Sequence, residues 1–133
     1  MSKLRCRGLQ LLVGAGLTAL LVACYPHNQA PNTPSPPIGP DQAGTYSYEA
    51  YRAVSTDPDG DTIYLGFDWN DGYYYYNETT WSSATASGDT CQSCYHTWYS
   101  AGVHEVRVKA VDVHGLSSGW SAPLTVTVHS TDR

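Results

Sequence analysis

Residues 62–69 alternate without a fault. Ile63, Leu65, Phe67 and Trp69 fall on one side of an extended chain, while Thr62, Tyr64, Gly66 and Asp68 fall on the other. That pattern reads as a half-buried strand, and turn chemistry bounds it at both ends. Ahead of it Pro58 presets one backbone dihedral and Gly60 tolerates another; behind it Asn70-Asp71-Gly72 holds residues that accept positive φ in a tight hairpin turn.

Other segments repeat the theme. Residues 45–54 alternate Tyr46, Tyr48 and Ala50 against Thr45, Ser47, Glu49 and Tyr51, which suits a second half-buried strand. Tyr73, Tyr74, Tyr75 and Tyr76 on a strand place two rings on each side, so at least two meet solvent or another surface. Residues 80–90 are small and polar apart from Trp81 and read as a loop. Residues 91–98 and 103–113 read as paired strands joined through 100–102, and Leu124, Val126 and Val128 alternate in the last strand. About seven short strands, with no helical period after the N-terminal region, predict an all-β antiparallel sandwich. Trp69, Trp98 and Trp120 are the expected large core members, each contributing roughly 1.5 to 3 kcal/mol if fully buried.

Asp57-Pro58-Asp59-Gly60-Asp61, a hydrophobic strand, and then Asp68-Trp69-Asn70-Asp71-Gly72 resemble the polycystic-kidney-disease (PKD) family of immunoglobulin-like domains, whose hallmark is Trp-Gly-Asp-Gly. Asn70 stands in place of the first Gly of that hallmark and also tolerates positive φ. His96-Thr97-Trp98, then Gly102 with residues 106–112, then Ser118-Gly119-Trp120-Ser121 follow the family pattern in order, so the resemblance spans residues 38–128. It implies an immunoglobulin-like (PKD-type) β-sandwich that mediates contacts and does not catalyse. Two residues after Gly102 the family commonly carries Tyr; here His104 takes the position and removes the expected tyrosine-corner hydrogen bond.

The N-terminus reads as an export signal over residues 1–23. Lys3, Arg5 and Arg7 precede an uncharged apolar run over residues 8–22, shorter than the roughly 20 residues of a spanning helix. Leu21-Val22-Ala23-Cys24 resembles the lipobox of bacterial lipoproteins. The resemblance implies that Cys24 becomes residue one and carries the multiple acyl chains, palmitate among them, that stable anchoring requires. The protein is then expected in the cell envelope, lipid-anchored and extracytoplasmic, on the outer membrane if the cell has two. Residues 24–40, rich in Pro with Asn, Gln and Ser, read as an extended tether reaching on the order of 50 Å, with 37–40 compatible with an edge strand. The domain is expected over 41–129 and a short tail over 130–133. Removing residues 1–23 leaves four Lys and Arg against twelve Asp and Glu, a formal charge of −8. Such a chain repels nucleic acid and attracts cations.

Three sets of residues invite chemistry. Asp57, Asp59 and Asp61 sit in a loop that immunoglobulin topology places at the same end as Asp112. This set is a candidate Ca²⁺ site, or else a turn whose carboxylates cap backbone amides; no other cofactor is expected. Cys91 and Cys94 are the only thiols left beyond Cys24, and an exported chain favours a disulfide between them over a redox pair or a zinc site. Tyr73, Tyr74, Tyr75, Tyr76 and Trp81 form a candidate ligand surface. No nucleophile elbow, phosphate loop or His-Glu-x-x-His is present. Two functions follow from these residues: a non-enzymatic, membrane-tethered module for interaction with an envelope protein or for surface spacing, or a carbohydrate-binding module or adhesin that stacks exposed Tyr and Trp rings on a polysaccharide.

Overall fold

The computed structural model describes residues 4–6, 24–72, 79–91 and 94–131. No helix occurs among them; the elements are strands β1 (Leu4–Cys6), β2 (Cys24–Pro26), β3 (Gln42–Gly44), β4 (Tyr48–Tyr51), β5 (Ile63–Asp68), β6 (Thr80–Trp81), β7 (Cys94–Thr97), β8 (Gly102–Asp112) and β9 (Leu124–His129). Five of these form one sheet in the order β3-β9-β8-β5-β6, and β4 pairs with β7 in a second. All these pairings are antiparallel except β3 with β9. The expected sandwich is therefore present, with one parallel edge.

Alternation on β5 has the predicted consequence. Ile63, Leu65, Phe67 and Trp69 are all buried, beside Val106, Val108 and Ala110 of β8 and Val126 and Val128 of β9 on the inner face of the larger sheet. The second sheet closes this core with Tyr51, Cys94 and Trp98. On β4 the inward face is that of Tyr51, while Tyr46 and Tyr48 are exposed. The difference arises because both faces of that segment carry rings, so apolar content alone did not select one. Tyr51 is held inside because its hydroxyl accepts from Trp98 Nε1 at 3.2 Å and donates to the Pro40 carbonyl at 3.3 Å.

Two further expectations are corrected. The segments 91–98 and 103–113 are not partners: β7 joins β4, whereas β8 lies between β5 and β9 in the opposite sheet. Trp120 is 38% exposed and outside the core, lying against the side chains of Arg107 and Lys109 on the outer face of the larger sheet. His104, in the place of the missing tyrosine, is buried against Trp98. Its ring nitrogens lie 3.3 Å from the Asn70 carbonyl and 3.4 Å from that of Ser100, so it ties the same corner by other atoms.

The proline-rich segment departs most from the tether expected over residues 24–40. Pro31, Pro34 and Pro37 are buried at intervals of three, and the amides of Asn32, Ser35 and Ile38 donate to the carbonyls of Thr56, Val54 and Arg52 at 2.8, 2.9 and 2.7 Å. Polyproline II has three residues per turn and no internal hydrogen bonds, so a proline every third residue gives one packed ridge and leaves the next amide free to donate outward. The segment is thus an edge strap antiparallel to the chain at residues 52–56. Ahead of it, β2 pairs with β1, Cys24 opposite Cys6, inside the stretch that signal removal would take away.

Candidate functional site

The strap's first residues and two loops meet at one end of the sandwich. Register sets this up: Ile63 opposes Asp112, so the loop before β5 and the loop after β8 leave their strands side by side. The Asp57 Oδ1 atom accepts the amides of Asp59 at 2.8 Å and Asp61 at 3.3 Å, a carboxylate turn that the Asp-Pro-Asp-Gly-Asp spelling dictates. Gly60 completes it at φ 78°. One oxygen from each of Asp57, Asp59 and Asp61 lies within 4.8 Å of the others. Two ligands on opposite sides of a Ca²⁺ ion, each at about 2.4 Å, are separated by about that distance.

The carboxylates are unequally engaged. Asp59 is exposed, and Gln29 donates to it twice, from its backbone amide at 2.6 Å and its side chain at 3.1 Å. These bonds, the backbone one foremost, hold the Asp59 carboxyl below its ordinary range. Asp61 Oδ2 lies 3.5 Å from His114 Nε2. Asp57 is only 6% exposed, and its Oδ2 has no hydrogen-bond partner. An orphaned buried carboxylate oxygen costs about 1 to 3 kcal/mol or more, which a cation would remove. Asp112 belongs to the same end but does another task. Its Oδ1 accepts the amides of His114 and Leu116, both at 2.8 Å, and its Oδ2 accepts from Asn28 at 2.7 Å. Burial pushes its carboxyl up, yet the bonds from Asn28, Leu116 and His114 together with the His114 ring outweigh this and hold it low. The capping reading holds at Asp112 and at Asp57 Oδ1, which accept backbone amides, while one oxygen from each of Asp57, Asp59 and Asp61 lies close enough to the others to share a cation.

The other predicted site residues separate. Cys91 and Cys94 are buried free thiols and not a disulfide. Cys94 opposes Tyr51 and points into the core, and Cys91 Sγ accepts the Ala53 amide at 3.3 Å. Burial pushes both thiols up, Cys94 to about 12, which keeps the thiolate needed for disulfide exchange scarce. Cys24 lies on β2. The expected ligand residues Tyr73, Tyr74, Tyr75 and Tyr76 lie outside the described residues. Trp81 is described: it is 46% exposed, on edge strand β6. Sequence reasoning missed Asn28 and Gln29, although their position just ahead of a three-residue proline period was a usable signal. It also missed Lys109 and placed Trp120 in the core, where the structure has it 38% exposed on the outer face.

No protein-family profile and no curated protein matches the chain. Among solved structures, the PKD domain of an M14-like peptidase from the Thermoplasmatales archaeon SCGC AB-540-F20 is 35% identical, with a TM-score of 0.65, over 77% of this chain and 99% of that one. A CARDB domain from Pyrococcus furiosus gives a TM-score of 0.49 at 11% identity over 77% of this chain and 93% of that one.

Proposed function

The chain belongs to the PKD domain family, and on that premise we propose that the mature protein is a lipid-anchored envelope protein in which one immunoglobulin-like sandwich serves as a non-enzymatic protein-binding module. The observation that carries this reading is the docked strap. Asn28 and Gln29 are already bonded to the domain, so an anchor at Cys24 leaves four residues, about 14 Å fully extended, between lipid and sandwich. The protein then works at the membrane surface, and not at the end of a long tether. Its acidic end, next to Asn28, is the end nearest the lipid.

That placement gives the cation a purpose. Carboxylates facing anionic headgroups repel them, and a Ca²⁺ ion held by Asp57, Asp59 and Asp61 would offset the repulsion and fix the loop that Gln29 grips. The residues present fit the ion in donor type and spacing. Fractionation of cross-linked envelopes tests the reading. The full chain should sediment with membranes bearing a protein adduct, and Cys24→Ala should release it and lose the adduct. A soluble full chain, or a chain lacking residues 57–121 that retains every phenotype, contradicts it.

A further inference from the structure

The outer face of the five-stranded sheet carries a row of side chains that no turn or core requirement explains. Across the sheet Trp81 of β6 opposes Gly66 of β5, and Gly66 opposes Lys109 of β8. Hydrogen bonds from the amides of Ser118 to Ala110 and Ser121 to Val108 lay the segment holding Trp120 along the far side of β8. A side chain at position 66 would meet the Trp81 ring at 2.8 and 2.9 Å. Only glycine leaves room there, and the indole lies across the strand in the space. Lys109 Nζ stands 5.9 Å from the Trp81 ring centre and 5.0 Å from that of Trp120, and the Arg107 guanidinium stands 5.4 Å from Trp120. Arg107 is already paired with Asp68 at 2.8 Å. Among the described residues no carboxylate pairs with Lys109.

We propose that this row binds an acidic polysaccharide, one uronate ring stacking on Trp81 with its carboxylate on Lys109. Trp81 is the platform, since an exposed indole offers a flat apolar face to the C–H side of a pyranose. Lys109 supplies the charge. Its ammonium stands over the ring, 5.9 Å from the centre, so a sugar seated on the part of the indole away from Lys109 brings its carboxylate within a charge-assisted hydrogen bond of about 2.8 Å. Trp120, whose ring centre lies 5.0 Å from the ammonium, is the positioning residue, and Arg107 packs on the same ring. The proposal narrows the polysaccharide expectation to one chemical class and moves it to residues the tyrosine run does not include. The net negative charge does not forbid it. Asp68, two residues from Gly66, is paired with Arg107; Asp112 lies three residues from Lys109 along β8, about 10 Å at the strand rise and roughly one Debye length at physiological salt, and Asp61 lies five residues from Gly66.

Native gels containing polygalacturonate, or the same polymer fully methyl-esterified, test the proposal on the full chain. Polygalacturonate should retard it with about tenfold the affinity of the ester, as one charge-assisted hydrogen bond implies. Lys109→Gln should erase that difference and Trp81→Ala should abolish retardation by both polymers. Arg52→Gln, which changes the net charge equally on the opposite sheet, should behave as the parent chain. Equal retardation by acid and ester, equal loss in Lys109→Gln and Arg52→Gln, or no retardation by either polymer overturns it. The first of these would leave sugar stacking in place without the acid. Unchanged thermal melting of Lys109→Gln and Trp81→Ala excludes misfolding as the cause of lost binding, and a variant melting well below the parent is replaced by Trp81→Leu, expected to lose retardation equally.

Discussion

Trp98 sits where the two sheets meet, its indole bonded to Tyr51 and edge-on to Trp69, with His96 and His104 against it. Trp98→Ala should cost about 3 to 5 kcal/mol, much of a small domain's stability. Trp120→Ala, losing only surface contacts with two cations, should cost about 1 to 2 kcal/mol. Urea midpoints of the two variants check the contrast. His96 makes stability depend on pH. It is stacked on Trp69 at 4.4 Å, with Nε2 2.9 Å from Asp71 Oδ2. Burial lowers its pKa below the ordinary 6.5, with His104 adding to this and Asp71 opposing it. The unfolded state therefore takes up the proton first as pH falls. His96's contribution is complete above pH 6.5 and declines below it until the folded value is passed. Melting temperatures from pH 8 to 5 should fall most below 6.5, and His96→Gln should flatten that slope. An unchanged slope contradicts the assignment. At this scale Ile63, Leu65 and Phe67 of β5, with Trp69 just after it, were legible because that side of the segment carries most of its large apolar residues. Tyr51 was not, because its rivals Tyr46 and Tyr48 are equally aromatic.

Among the elements, the strap is the part whose physics was written in the sequence but not in the period used to read it. Alternation has period 2 and a helix 3.6, whereas prolines at 31, 34 and 37 have period 3. Composition suggested a solvated linker; the spacing specifies a packed ridge. Hydrogen exchange distinguishes the two. The amides of Asn32, Ser35 and Ile38 should be protected and that of Thr33 should exchange freely, whereas uniform fast exchange over 28–38 would mean an undocked tether. The acidic loop was legible in its turn chemistry, because Asp57 caps the amides of Asp59 and Asp61 within Asp-Pro-Asp-Gly-Asp. That Asn28 and Gln29 also belong to it follows from the strap's path, which the proline period marks and a search for alternation alone passes over.

For the whole molecule, the strap and the loop meet at one end, and an anchor at Cys24 would join them in one chain of cause. Lipid at Cys24, a strap beginning at Asn28 and a cation under Gln29 would fix the domain at the membrane in one orientation. Calcium should raise the melting temperature. At about a hundred times the dissociation constant the gain is about 2.7 kcal/mol, or on the order of 10 °C for a domain of this size. Asp57→Asn should remove most of it, because it neutralises a buried carboxylate that has an oxygen left unpartnered. The most direct test of the account is the intact mass of the chain extracted from membranes. The account predicts residues 24–133 with multiply acylated Cys24; a mass that retains residues 1–23, or lacks acyl groups, contradicts it.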